Sequence, residues 1–208
     1  MAGILKVDQV QSDSNLAINI AGSNVAFFAA NTLLMGGNTI ISGNKIANTA
    51  QPAGAVLQVV QTTKTDTWTS SSDTWTNITG LTASITPSST SSRILVMSSV
   101  LVGLNWEYFA HIRLARNGSV ILQGDAAGLR KQVHGMIYYY NQPNPGNSWI
   151  AWPGQVVDSP ATTSSLTYSV QMRIADGRTT YVNRLQRDDN ADYEPRGAST
   201  LILMEIAG

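Results

Sequence analysis

Apolar and polar side chains alternate through the stretch Ser165–Ile174, which has the sequence SLTYSVQMRI. Successive side chains of a β-strand point to opposite sides, so a period of two predicts a strand with one buried and one solvated face. Asp176 and Gly177 then form a turn signal and lead toward another β-branched segment, Thr180–Val182. This part of the chain is therefore expected to form strands of an antiparallel sheet.

Strand signals recur on both sides of this stretch. Ala55–Gln61 is rich in β-branched residues, and the chain ends with the apolar run Leu201–Ile206. Ile94–Met97 is apolar at every position, which predicts a strand that is covered on both of its faces. Asn117 and Gly118 lie between two apolar runs, and this dipeptide is the strongest short signal for a hairpin.

The composition favours the same fold class. Only 12% of the residues are charged, about half the usual share, and Ser, Thr, Asn and Gly take their place. These residues favour strands and turns over helices, and a surface poor in charge suits a chain that buries much of its outside against neighbours. We predict an all-β fold, an antiparallel β-sandwich of the jelly-roll kind with about eight to ten strands over residues 55–208.

The first 54 residues differ from the rest and are predicted to form an extended arm or a short stem. Gln51–Gly54 breaks the pattern and marks the boundary. The segment is too short to close a core by itself and too apolar to be a disordered tail. Other copies of the chain, or another protein, are therefore expected to cover it; the alternative is that it adds strands to the main domain's own sheet. The apolar residues assigned to attachment are Ile4, Leu5, Val7, Val10, Leu16, Ile18, Ile20, Phe27 and Phe28.

The charge balance and the absence of cysteine exclude several functions. Thirteen basic and thirteen acidic residues cancel, so no electrostatic attraction to nucleic acid or to an anionic membrane is expected. Without cysteine the chain forms no disulfide and carries no thiolate chemistry. The sequence begins without a basic stretch followed by a long apolar run, so we expect neither a signal peptide nor a transmembrane segment.

The chain offers little for catalysis. Its two histidines, His111 and His134, lie far apart in sequence, and His111 falls on the solvated face of an alternating strand. No nucleophile elbow, zinc-binding helix motif or phosphate-binding glycine loop is present. We predict that the protein is not an enzyme and that it uses no cofactor and no catalytic metal.

One acidic segment resembles the start of a calcium loop. Asp188, Asn190 and Asp192 place oxygen ligands at alternate positions, as such loops do. Tyr193 stands where the loop needs glycine, and Ser199 stands where it needs a bidentate glutamate. The alternative is a solvated loop of ion pairs, which is favoured by the neighbouring Arg184, Arg187 and Arg196.

Aromatic residues form the other candidate site. Tyr138, Tyr140, Trp149 and Trp152 flank Gln142–Gly146, a segment rich in turn formers. Exposed Tyr and Trp rings suit contact with a sugar or a partner protein, whereas the alternative places these rings in the core or at a trimer interface. If residues 149–152 are a strand, the two Trp side chains point to opposite faces, and at least one is expected in the core.

Several segments together resemble a domain that recurs in bacteriophage virion proteins, including those of cyanophages and other phages of aquatic bacteria. The segments are Ile4–Val10, Val56–Thr63, Thr79–Pro87, Ser91–Val96 and Leu203–Ile206. This domain occurs in capsid cement or decoration proteins and at the tips of tail fibres and tailspikes. The resemblance covers residues 55–208 in order and spacing, and it implies a homotrimer of β-sandwiches that projects from the particle surface.

These expectations converge on a structural virion protein. No internal repeat or heptad provides a fibre shaft, and the chain has no room for the long β-helix of a polysaccharide-cutting spike. A short arm with one sandwich favours a trimeric cement protein on the outer capsid surface, with the major capsid protein as partner and a host surface glycan as a further one. The alternative is the receptor-binding tip of a tail fibre or tailspike.

Overall fold

The computed structural model describes residues 32–35, 38–42, 45–46, 48–104, 109–138, 149–174 and 177–208. Within these residues all strand pairs are antiparallel, and the one helical element is a 3-10 turn at Asn48–Ala50. The prediction of an all-β fold is confirmed. The strands in chain order are β1 Thr32–Met35, β2 Asn38–Ser42, β3 Lys45–Ile46, β4 Val56–Lys64, β5 Trp68–Ser70, β6 Thr76–Ile85, β7 Arg93–Leu104, β8 Phe109–Arg116, β9 Ser119–Val120, β10 Gly135–Tyr138, β11 Trp149–Asp158, β12 Leu166–Ile174, β13 Thr180–Val182 and β14 Ser199–Ile206.

Sheet I is built around β7. Strand β11 pairs with Ile94–Gly103 along one edge of β7. Strand β14 pairs with Arg93–Ser99 and β13 with Val102–Leu104, so these two lie end to end along the other edge. Strand β4 extends the sheet beyond β14, and β5 extends it beyond β13.

Sheet II has the order β6, β12, β8, β10, and the short β9 also pairs with β8. Strand β12 occupies one edge of β8, and β10 and β9 share the other. Strands β12 and β13, which are neighbours in the sequence, therefore belong to different sheets. The chain passes from one layer to the other between them.

The buried faces of the two sheets share one hydrophobic core. Ile94 and Val96 of sheet I and Ile112, Tyr168 and Met172 of sheet II belong to the same cluster, and each is fully buried. Full burial of one such apolar side chain contributes about 1.5–3 kcal/mol to stability. The architecture is therefore a β-sandwich, in which the inward-facing side chains of the two sheets form the core.

Two turns contain glycine with a positive φ, and one of them is the predicted Asn-Gly hairpin. Asn117 and Gly118 join β8 to β9 with φ angles of 49° and 82°. Positive φ at both central residues is the hairpin geometry that Asn-Gly favours. Gly54, at the predicted domain boundary, has a φ of 89°, and a turn bond from the Ala55 amide to the Pro52 carbonyl closes this segment.

The described part of the arm forms a small sheet of its own. Strands β1, β2 and β3 pair with one another and with no described strand of the two main sheets. Residues 1–31 lie outside the described part of the chain, and with them all nine residues assigned to attachment. That assignment stays a prediction.

A buried carboxylate ties the last strand to the turn between β6 and β7. Glu205 is fully buried, and its Oε1 accepts hydrogen bonds from the Ser88 amide and hydroxyl, both at 2.6 Å, and from the Ser92 hydroxyl at 2.7 Å. Its Oε2 accepts a bond from Gln58 Nε2 of β4 at 2.6 Å. Burial alone would raise the pKa of this carboxyl, but the bonds from Ser88, Gln58 and Ser92 outweigh burial and lower the pKa below its usual value.

Candidate interaction surfaces

The outer side of sheet I carries apolar side chains in register across four strands. Val59, Met204, Leu95 and Val157 form one cross-strand row, since Met204 pairs with both Val59 and Leu95, and Leu95 pairs with Val157. In a second row Ile202 pairs with Met97. This pair lies between Gln61 of the edge strand β4 and Gln155 of the edge strand β11. We call this surface the apolar face; it comprises Val59, Leu95, Met97, Val157, Ile202 and Met204.

The apolar face carries no charge in these rows. Val59 and Val157 are 56% and 50% exposed, and the other four side chains of the face are partly exposed. Gln61 and Gln155 flank the second row, and the third row consists of Thr63, Thr200, Ser99 and Pro153. An antiparallel sheet with a solvated outer face normally shows polar residues there. The surface is therefore suited to contact with another apolar surface.

The outer side of sheet II has a different character. Arg173 of β12 pairs with His111 of β8, which pairs with Met136 of β10. Arg113 lies two residues further along β8, and Phe109 pairs with Tyr138. We call this surface the basic–aromatic face; it comprises Phe109, His111, Arg113, Met136, Tyr138 and Arg173.

Packing fixes the side chains of the basic–aromatic face. The Arg113 guanidinium stacks on the Trp75 ring at 4.1 Å from the ring centroid, and its Nε donates to Gln171 at 2.8 Å. The Arg173 Nε donates to the Asp73 carbonyl at 2.8 Å. The turn between β5 and β6 thus holds both arginines, and a cation–π contact of this kind contributes about 0.5–2 kcal/mol.

Both histidines lie in partly buried positions. His111 packs against Phe109, with ring centroids 5.1 Å apart, and His134 meets Trp152 edge-on at 5.1 Å. No hydrogen-bond partner reaches the buried Nδ1 of either ring within the described residues. Burial lowers the pKa of both histidines, and the charges of Arg173 and Lys131 lower the pKa of His111 further.

Stability is expected to fall on mild acidification. Because the folded-state pKa of each histidine is below the unfolded value of about 6.5, the unfolded chain binds more protons as the pH falls below about 6.5. We expect a Tm drop on the order of 2–5 °C between pH 7 and 5 by differential scanning calorimetry. The double variant H111Q/H134Q should show a flatter profile in this window. An equal drop in the double variant would assign the effect to carboxylates instead.

The structure places the two tryptophans on opposite sides of β11, as their spacing predicts. Trp152 is 7% exposed and belongs to the core. Its ring fills the space above Gly135 and Gly154, where any Cβ would overlap it. Trp149 is partly exposed on the outer side of sheet I and packs against Gly197. Trp152 therefore offers no ring face to a ligand, whereas Trp149 presents part of its ring to solvent.

Of the two tyrosines of the aromatic candidate site, the structure describes Tyr138. Tyr138 is 44% exposed and lies beside Phe109, with ring centroids 6.5 Å apart. Tyr140 and Gln142–Gly146 lie outside the described residues. The structure thus joins Tyr138 to the basic–aromatic face and separates it from Trp149, which is on the other sheet.

Asp188 of the calcium candidate is engaged in ion pairs. Its carboxylate lies 3.2 Å from Arg184 and 2.8 Å from Arg196, and Arg187 pairs with the neighbouring Asp189 at 2.6 Å. Asn190 and Asp192 are exposed. No group of three acidic or histidine side chains in the described ranges could hold a metal ion. These contacts match the alternative, a solvated loop of ion pairs.

Two features are visible only in three dimensions. The bonds of Glu205 to Ser88 and Ser92 span more than 110 residues, and no local pattern links these positions. Arg113 and Trp75 are likewise distant in sequence. The one available signal for the apolar face was the uninterrupted apolar run Ile94–Met97, which predicted a strand covered on both sides.

Comparisons with known proteins assign no family. No family model matches the chain, and no curated protein matches its sequence. No helix of the described residues is long and apolar enough to cross a membrane. What the protein does must therefore be inferred from its residues and their geometry.

Proposed function

We propose that this chain is a structural, non-catalytic protein of a bacteriophage particle: a homotrimeric cement protein that stabilises the outer capsid surface. The observation that carries the proposal is the apolar face. Contiguous apolar side chains that lack any charge mark a surface for association. The resemblance of residues 55–208 to a recurring virion domain supports the placement in a particle.

The character of the apolar face favours another copy of the chain as its partner. Permanent homo-oligomer interfaces are the more apolar class, whereas transient interfaces are about as polar as the rest of a surface. An exposed apolar patch favours aggregation, and cover from the time of folding prevents it. Another copy of the same chain is always present at that time.

The size of the apolar face indicates that it is one part of the interface. Its two rows cross four strands and span roughly 14 Å by 7 Å between the outermost Cα positions, an area on the order of 200 Å² with the side chains. A standard interface buries about 800 Å² on each partner. In a cyclic trimer two different patches of each subunit meet, and the arm residues provide further apolar surface.

The strand order supports the jelly-roll form of the sandwich. If β4, β6, β7, β8, β10, β11, β12 and β14 are numbered from one to eight, sheet I has the order 1-8-3-6 and sheet II the order 2-7-4-5. Neighbours in each sheet thus come from the two halves of the chain, as in two Greek keys wrapped into a double sheet. Trimeric jelly rolls of this size fit a threefold position on a particle.

A cement role follows from the short arm beside a single sandwich. Such a protein binds the assembled shell and not its free subunits, and therefore stabilises the shell by mass action. The arm is proposed to contact the major capsid protein. A tail-fibre tip would use the same sandwich but would need a shaft from another chain.

The copy number of the chain per particle tests this proposal. Quantitative mass spectrometry of purified particles should give a number comparable to that of the major capsid protein. Addition of the purified trimer to shells that lack it should raise their heat resistance. A handful of copies per particle would contradict the cement role and place the chain in the tail.

A further inference from the structure

The basic–aromatic face holds two arginines that form no ion pair with a described carboxylate. Arg113 and Arg173 lie on adjacent strands two positions out of register, which places their Cα atoms about 7–8 Å apart. Each uses its Nε in a bond to a neutral group, the Gln171 amide oxygen or the Asp73 carbonyl. Within the described ranges neither arginine forms an ion pair, although the terminal nitrogens of each guanidinium can donate.

The two arginines leave donor groups available to an anion. Like charges on neighbouring strands repel, and both arginines are partly buried, so water screens them incompletely. His111, which is directly opposite Arg173, adds no negative charge. The stacking of Arg113 on Trp75 fixes the guanidinium in place, so an incoming anion meets a donor group that is already oriented.

The face is small and has an apolar border. Its three strands and three rows span roughly 10 Å by 13 Å between Cα positions, about 250–300 Å² with the side chains, and a standard protein interface buries about 800 Å² on each partner. Met136 and Tyr138 are 54% and 44% exposed along one side. A flat surface of this extent, with oriented cations on one side and a tyrosine roughly 12–14 Å away on the other between Cα positions, matches two or three linked sugar rings that carry acidic groups.

We propose that the basic–aromatic face binds an acidic saccharide, with a carboxylate or sulfate group between Arg113 and Arg173 and a sugar ring against Tyr138. The outer sides of the two sheets point away from each other in a sandwich. A trimer formed through the apolar face therefore leaves this face open to solvent. The inference goes beyond the proposed cement function and stands or falls independently of it.

Binding of the full-length protein to three soluble polysaccharides tests the proposal: alginate, which carries carboxylates, dextran sulfate, and neutral dextran of similar length. Wild type should bind an acidic polymer, with an affinity that falls as salt rises, and should not bind dextran. Arg113→Gln and Arg173→Gln should each weaken binding about tenfold or more, because each removes charge-assisted hydrogen bonds. Comparison of alginate with dextran sulfate identifies the acidic group.

Arg93→Gln is the matched control, since it removes the same charge from an exposed position on sheet I. It should change affinity less than twofold. Arg173→Gln provides a second variant if Arg113→Gln unfolds through loss of its contact with Trp75. Three results would overturn the proposal. They are equal binding by Arg173→Gln and Arg93→Gln, wild-type binding to dextran as tight as to the acidic polymers, and no binding of any polymer by wild type. A changed oligomeric mass of Arg173→Gln would also overturn it, because the face would then contact another copy of the chain.

Discussion

Replacing Met204 by glutamate is expected to convert the proposed trimer to monomers at micromolar concentration. Met204 lies at the centre of the apolar face, paired with Val59 on one side and Leu95 on the other. A charge that is buried at an interface without a partner costs several kcal/mol for each subunit. The isolated sandwich should stay folded, because the side chain then points into water and the core contacts of Leu203 are untouched.

Sedimentation velocity or light scattering after gel filtration measures this effect directly. Thr167→Glu is the matched control: it adds the same charge at an exposed position of sheet II, and the mass should remain that of the trimer. Two results contradict the assignment of the apolar face. One is a wild type that is monomeric at every concentration, and the other is a folded Met204→Glu variant that keeps the wild-type mass.

Glu205→Ala is expected to lower the free energy of unfolding by about 3–5 kcal/mol. The change removes the acceptor for the Ser88 amide, the Ser88 and Ser92 hydroxyls and the Gln58 amide, and it leaves a cavity in a fully buried position. The Ser92 hydroxyl is the buried donor among these, and a buried donor without a partner costs about 1–3 kcal/mol. Such a loss is a large share of the stability of an ordinary domain.

Urea denaturation of wild type and variant at pH 7 gives the comparison. Glu205→Gln keeps the shape but presents an N–H₂ group to the donors, so its loss should lie between those of wild type and Glu205→Ala. Ser84→Ala, which removes a hydroxyl from an exposed pair with Thr167, serves as control and should cost less than 1 kcal/mol. Since the pKa of Glu205 is lowered on folding, its contribution is present above the unfolded value of about 4.5 and is lost as the pH falls below it. A Glu205→Ala variant as stable as Ser84→Ala would show that this carboxylate is not a structural tie.

Local patterns in the sequence were sufficient for several of the strands and for one turn. The alternation in Ser165–Ile174 predicted β12 and its inward side chains, and the Asn117–Gly118 dipeptide predicted the hairpin between β8 and β9. The spacing of Trp149 and Trp152 predicted that they face opposite sides. These features depend on neighbours within a few residues, because the side-chain period and the turn conformation are properties of the local backbone.

Tertiary structure decided which strands are partners, and thereby the composition of each surface. The last strand β14 lies between β4 and β7, which places Met204 beside Val59 and Leu95 and completes an apolar row that is not contiguous in the sequence. The tertiary structure also placed Trp152, rather than Trp149, in the core. It brought Glu205 into contact with Ser88 and Arg113 into contact with Trp75. The sequence by itself determined that the chain forms antiparallel strands with one apolar side, because that follows from a repeat of two residues. It could not determine which exposed residues would share a face, because pairing across more than 100 residues is set by the packing of the whole core.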